Sequence, residues 1–129
     1  MLTIGKLGPV STRRGRRAAE AGTAGGHKHV CPHYHGAVEL IGRRWTGAIL
    51  YALADDGPMR FADLKEAVPG MSDRLLSARL KELEDAGLAR RRVEPGARVR
   101  VTYELTRKGE SLKPVLGNLR DWARRWHPA

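Results

Sequence analysis

Cysteine is all but missing from this chain: Cys31 is the single thiol in 129 residues. One thiol cannot close an internal disulfide, which suits a reducing compartment. No apolar run approaches the roughly 20 residues needed to span a bilayer. No apolar segment of signal-peptide type follows the basic start either, so a cytoplasmic location is expected. The chain lacks a Gly-rich phosphate loop and any paired-carboxylate constellation, and no nearby thiol and imidazole have a spacing that suits nucleophilic catalysis. An enzyme is therefore not expected, nor a cofactor. Acidic residues are also scarce, with 14 Asp+Glu against 24 Lys+Arg for a formal charge of +10. Such a balance favours a polyanionic partner, either nucleic acid or an anionic surface.

What is present divides into a tail and a domain. Met1 to about Lys28 is rich in Gly, Ala, Ser and Thr and carries Lys6, Arg13, Arg14, Arg16, Arg17 and Lys28 against Glu20. It has too little apolar surface to fold alone. A solvated leader fits this composition, and so does a basic arm that adds nonspecific DNA affinity. Residues 1–29 are read as this arm and residues 30–129 as one folded domain, since 129 residues leave room for one core of ordinary size.

The densest signal runs from Met71 to Thr106. Ser72 stands at the N-cap position and Gly87 at the C-cap position of a helix over Ser72–Ala86. Leu76, Leu80, Leu83 and Leu88 recur at helical spacing as a core face, leaving Asp73, Arg74, Ser77, Arg79 and Lys81 on other faces. Arg74, Arg79 and Lys81 lie near the start of this helix, and Glu82, Glu84 and Asp85 near its end. Only the first half suits a polyanion, and the acidic end opposes the helix macrodipole. Beyond Gly87 the period becomes two, with Leu88, Arg90 and Arg92 on one parity and Ala89, Arg91 and Val93 on the other. Val99, Val101 and Tyr103 then alternate with Arg98, Arg100 and Thr102, so two strands are expected, joined at Glu94-Pro95-Gly96-Ala97. Arg90, Arg91, Arg92, Arg98 and Arg100 crowd this hairpin against Glu94. Like charges across a ladder repel unless something such as a phosphate backbone relieves them. A helix followed by a basic hairpin is the layout of a winged helix.

Two more helices are expected from Ala37 to Ala54. The first lies around Ala37, Val38, Leu40 and Ile41, and the second carries Trp45, Ile49, Leu50 and Leu53; Gly42 separates them and Asp55-Asp56-Gly57-Pro58 ends the second. Met59 and Arg60 suggest a short strand, and Phe61, Leu64 and Val68 a third helix before the Pro69-Gly70 turn. That helix, the turn and the helix after Ser72 make a helix-turn-helix. The fold class is mainly α with a small antiparallel β-hairpin.

Thr106 fits the N-cap of a C-terminal segment in which Leu112, Val115, Leu116, Leu119, Trp122 and Trp126 form a stripe. Pro114 would kink this segment or start a second helix. The stripe exceeds what one small core needs, so a homodimer seam is expected; the alternative is a helix that roofs its own core. Upstream, His27, His29, Cys31, His33 and His35 alternate, which on an extended strand would place five ligand-type side chains on one side. Their spacing is not a recognised zinc spacing, Pro32 and a helix onset interrupt the strand, and no carboxylate joins them. No metal site is expected. Positive charge near Cys31 would favour its reactive thiolate, and the alternative is a small packing residue ahead of a helix.

Together these stretches resemble the HxlR family of bacterial winged-helix transcriptional regulators, related in fold to the MarR group. The matching segments are CPHYHGAVELIGRRWTGAIL (Cys31–Leu50), MRFADLKEAVPGMSDRLLSARLKELEDAGL (Met59–Leu88) and RVTYELTRKGESLKPVLGNLRDWARRW (Arg100–Trp126). The combination of Ile-Gly-x-x-Trp, Pro-Gly-x-Ser, Leu-Ser-x-Arg-Leu-Lys-Glu-Leu-Glu and Tyr-Glu-Leu-Thr is specific. The resemblance implies a regulator that binds double-stranded DNA at an inverted repeat as a homodimer. The dimer would be built through the first helix, where Val38 and Ile41 lie, and through the C-terminal helices. Ser72, Arg74, Ser77 and Arg79 match recognition-helix positions and Arg100 the wing arginine. Lys81 and Arg98 join this set as further cations on the same helix and wing.

Two departures from the family pattern stand out. Where the family usually has prolines before the wing arginine, this chain has Arg98 and Val99, which makes the wing more basic and its tip less rigid. The interval from Cys31 to Trp45 is one residue longer than the commonest family spacing. Cys31 itself corresponds to a Cys-Pro position at which several members sense oxidants or electrophiles, so by similarity it could be a redox switch with an electrophile or small molecule as effector. The competing function is non-sequence-specific nucleic-acid binding, architectural or ribosome-associated, which +10 would also serve. A regulator should hold one operator about 10³-fold more tightly than random duplex.

Overall fold

A computed structural model describes residues 29–127 and 129. Apart from His29, the basic arm expected over residues 1–29 lies outside the described residues. The elements run α1 Pro32–Ile41, α2 Thr46–Asp56, α3 Phe61–Ala67, α4 Asp73–Asp85, β1 Ala89–Glu94, β2 Arg100–Leu105, α5 Arg107–Glu110 and α6 Lys113–Trp126. This is the winged helix-turn-helix order expected from the sequence. The chain divides into two units, one spanning Leu40–Leu116 and one made of residues up to Glu39 together with Gly117–Ala129.

The Leu40–Leu116 unit contains the core. Ile49, Leu50 and Leu53 of α2, Leu64 of α3 and Leu76, Leu80 and Leu83 of α4 are buried, joined by Leu88, Leu105 and Leu116. The leucines of α4 return every three or four residues, so a helix gathers them on one stripe and leaves its polar residues outside. Both ends of α4 are closed. Ser72 Oγ accepts a hydrogen bond from the Leu75 amide at 3.1 Å. At the other end Gly87 has a φ of 76°, and the amides of Gly87 and Leu88 each donate at 2.9 Å, to the carbonyls of Glu84 and Leu83. Glycine suits this left-handed position because a Cβ would strain it. The helix therefore ends at Asp85 with Ala86 as its cap, and Gly87 follows the cap rather than forming it. The acidic final turn is offset by Lys108, whose Nζ donates to the Ala86 carbonyl at 2.7 Å.

The hairpin pairs Val93 with Val101 and Glu94 with Arg100. The loop is thus residues 95–99: Glu94, expected in the turn, closes β1, and Arg98 and Val99, expected in the second strand, belong to the loop. Proline has no amide to give to the ladder, so pairing stops before Pro95. Met59 and Tyr103 exchange backbone hydrogen bonds of 2.9 and 2.8 Å, which attaches the expected Met59 strand to the wing. Thr106 Oγ1 accepts from the Gly109 amide at 3.1 Å and donates to the Gly87 carbonyl at 2.6 Å. It caps α5 and ties it to the end of α4 at once. A side chain at position 109 would collide with the Leu88 carbonyl oxygen, so glycine is required for this close approach. Pro114 lies in the first turn of α6, where it starts a helix without breaking one.

In the other unit α1 begins at Pro32, earlier than the expected Ala37, because proline is favourable in a first helical turn. His33 and His35 are therefore helical, and the one-sided histidine row of an extended strand does not form. His35 and Glu39 lie one turn apart, 3.3 Å between Nε2 and Oε2. No side chain of α1 is buried.

Candidate nucleic-acid interface

The turn between α3 and α4 sets the pose of the exposed helix. Gly70 has a φ of 104°, and a Cβ there would lie 3.1 Å from the Trp45 ring. Backbone angle and indole both call for glycine. Trp45 is itself left-handed, with φ 78°, and projects from the loop between α1 and α2 onto this turn. Across the turn Lys65 Nζ pairs with Asp73 Oδ1 at 2.6 Å.

A second connection runs from the same loop to the middle of α4. The Arg79 side chain is only 13% exposed; its Nε donates to the Arg44 carbonyl at 3.0 Å and a terminal nitrogen to Glu82 at 3.2 Å. Arg43 reaches the same carboxylate at 3.5 Å. Sequence reasoning grouped Arg79 with the outward cations, yet its guanidinium is folded back to hold the loop. The reason is spacing: Arg79 lies beside Leu76 and Leu83 on the helix surface, three and four residues away, close enough to the core face to be drawn against the neighbouring loop. Arg74, Ser77 and Lys81 remain exposed on the outer surface of α4. Lys81 pairs with Asp85 at 3.2 Å, while no ion pair or hydrogen bond engages Arg74 among the described residues. Ser72 spends its hydroxyl on the cap.

In the wing, strand parity sorts the arginines. Arg90, Arg92 and Glu104 share one face, where Arg90 Nε meets Glu104 Oε2 at 2.6 Å and Arg92 meets Oε1 at 3.5 Å. The Arg90 hydrogen bond holds the Glu104 carboxyl below the usual glutamate range, against the opposing effect of its burial, with the charges of both arginines adding to the lowering. Part of the repulsion expected in this hairpin is thus already relieved within the protein. Glu104, the acid responsible, lies four residues beyond Arg100, outside the arginine-rich stretch Arg90–Arg100.

Arg91, Arg98 and Arg100 carry no such partner among the described residues. Arg98 and Arg100 instead line a cleft of about 280 Å³ with Val99, Val101 and Arg60. Arg60 was missed in the sequence, and the signal that could have found it was the Met59-Arg60 strand. Pairing of Met59 with Tyr103 brings the next residue to the side of the wing. Three guanidinium groups around an open cleft are suited to phosphate oxygens, which they can contact in bidentate fashion.

The expected dimer set separates by burial. Leu116 is buried in the chain's own core, and Ile41 and Leu112 pack against it. Val38, Val115, Leu119, Trp122 and Trp126 are exposed, the two tryptophans at 54% and 64%. Cys31 is exposed immediately before α1, and its carbonyl accepts from the His35 amide at 2.9 Å. Among the described residues no group of three or more His, Cys, Asp or Glu could hold a metal ion. No helix there is long and apolar enough to cross a membrane.

Comparison with known proteins agrees with this architecture. Residues 40–129 match the family described as HxlR-like helix-turn-helix. The chain is 42% identical over 97 residues to the uncharacterized HTH-type transcriptional regulator YvaP of Bacillus subtilis, covering 75% of this chain and 89% of that protein. It is equally identical, over 94 residues, to the HTH-type transcriptional regulator YodB of the same organism, covering 73% and 83%. The reduced form of B. subtilis YodB superposes with a TM-score of 0.69 at 39% identity, covering 78% of this chain and 97% of that one. YodB is also known as a quinone-bound structure. The redox regulator HypR in its reduced form superposes with a TM-score of 0.66 at 29% identity, covering 71% and 90%. This chain belongs to the HxlR-like helix-turn-helix family of transcriptional regulators.

Proposed function

We propose that the protein is a homodimeric, sequence-specific DNA-binding regulator that recognises an inverted repeat. Arg74, on the outer, N-terminal part of α4 and without a partner among the described residues, carries this reading, because recognition helices reach base edges with their first turns. Arg74, Ser77 and Lys81 read the major groove, Ser72 and Arg79 fix the helix that carries them, and Arg60, Arg98 and Arg100 grip the backbone beside it. A ten-residue helix with no buried side chain is marginal alone. Together with the exposed stripe Val115, Leu119, Trp122 and Trp126, this supports a second copy covering α1 and α6. Exposure of Cys31, and the redox and quinone names attached to HypR and YodB, support oxidant or electrophile control through that thiol.

The test is binding of the full chain to the duplex upstream of its own coding sequence and to random duplex, with and without a mild thiol oxidant. A preference of about 10³-fold that the oxidant erases is expected, and Cys31→Ser should keep the preference while losing the oxidant response. Equal, salt-sensitive binding to both duplexes would overturn the regulator reading in favour of general nucleic-acid binding. A Cys31→Ser variant that still responds would remove the thiol from control.

A further inference from the structure

Among the described residues, most carboxylates have a Lys or Arg partner. Asp73, Glu82, Asp85, Glu94, Glu104, Glu110 and Asp121 have ion pairs with Lys or Arg, and Glu39 lies 3.3 Å from the His35 imidazole. Among the described residues Asp55, Asp56, Asp63, Glu66 and Glu84 have none, and all of these but Glu84 border two adjoining clefts. The larger is an open groove of about 580 Å³ lined by Trp45, Tyr51, Val68 and Pro69, with Asp55 and Asp56 at its rim. The smaller shares Asp56 and adds Met59, Asp63 and Glu66. Asp55 and Asp56 stand in the last turn of α2, where no basic residue accompanies them. The negative end of the helix dipole disfavours them there, so local stability does not account for their position.

We infer that this groove binds a small organic cation with an apolar body, such as an aryl or alkyl ammonium or phosphonium compound, and that its occupancy acts on the recognition helix. The apolar walls take the body of the ligand, and Asp55 and Asp56 take its charge. On the rest of a chain of net charge +10 a cation meets repulsion, which makes the groove selective by contrast. Its volume falls within the range of small-molecule sites, about 300–1,000 Å³. Trp45 provides the coupling. Its ring packs on Gly70 at the turn into α4, and the Arg44 guanidinium lies 5.0 Å from the ring centroid. The Arg44 carbonyl in turn holds Arg79 of α4. A ligand that shifts the indole therefore moves both contacts that set the pose of α4. The coupling rests on the DNA-binding reading, whereas the binding site does not.

Calorimetric titration of the full chain without DNA, using tetraphenylphosphonium chloride, reads the site directly. Saturable binding of one cation per chain is expected. It should weaken at least tenfold in the Asp55→Asn/Asp56→Asn variant and in Ala48→Arg, which places bulk and positive charge at an exposed position on the groove wall. Tetraphenylborate, of the same shape and opposite charge, should lose no affinity in the Asp55→Asn/Asp56→Asn variant, because removing the carboxylates removes a repulsion. A melting temperature at or above the parent's shows that the double variant is folded. Equal cation binding by parent and variants, or no saturable binding, overturns the site. Tighter binding of penta-lysine than of the phosphonium would also overturn it, by assigning the groove to a basic peptide. In a second arm the phosphonium should lower duplex affinity about tenfold in the parent and leave the double variant unaffected. Binding without that change overturns the coupling alone, and a chain that prefers no duplex fails the regulator reading while the first arm still judges the site.

Discussion

A single guanidinium has different work to do depending on which neighbour it meets. Arg74 and Arg79 lie on one helix, five residues apart, yet Arg79 is engaged by the Arg44 carbonyl and Glu82 while Arg74 has no partner among the described residues. Replacing Arg74 with Ala should cost about 1–3 kcal/mol on the preferred operator and little on random duplex, as read by competition binding. Equal loss on both would assign Arg74 to phosphate contact. Glu104 offers a test of a different kind. Its folded carboxyl titrates below the usual range because Arg90 and Arg92 favour the charged form. A depressed folded-state value contributes stability above the ordinary glutamate range, and that contribution is lost as pH falls through the folded value. Glu104→Gln should therefore be less stable than the parent near neutral pH, by about 1 kcal/mol given that Arg90 and Arg92 are largely exposed. Urea midpoints of the two proteins should converge under acid. A constant gap down to pH 2 would show that the pair matters only through packing.

At the scale of elements, α4 and its cap were legible in the sequence because their causes are local. Ser72, the leucine spacing and Gly87 are all within reach of one helix. The end of the hairpin was less legible, since its register depends on which residue of the other strand each residue meets; Val99 falls in the loop because Glu94 pairs with Arg100. The wing was also read as a uniformly basic element. Pairing divides it into a neutralised face around Glu104 and a set, Arg91, Arg98 and Arg100, that has no partner among the described residues. If Arg98 and Arg100 contact phosphates, replacing both with Ala should weaken binding to all sequences and flatten the plot of log affinity against log salt by about 2 units of slope. The same loss from Arg90→Ala is not expected, because that side chain is held by Glu104.

At the scale of the whole molecule, the proposed homodimer rests on the apolar residues left outside the core. The positions Val115, Leu119, Trp122 and Trp126 repeat every three or four residues on one face of α6, the spacing of a helix seam. Trp122→Glu should shift the chain from dimer to monomer in sedimentation velocity at micromolar concentration, with the Leu40–Leu116 unit still folded by circular dichroism. An unchanged sedimentation coefficient would place the seam elsewhere. By itself the sequence determined the order of the elements, the helix-turn-helix, the basic wing and the family, since each follows from short-range periodicity, caps and turn residues. Only the tertiary structure decided that Arg79 is held inside, that Arg60 joins the wing, that Glu104 neutralises two of its arginines and that Asp55 and Asp56 rim an apolar groove. Those outcomes depend on side chains far apart in the chain coming within hydrogen-bond or contact distance, and no local pattern of residues carries that information.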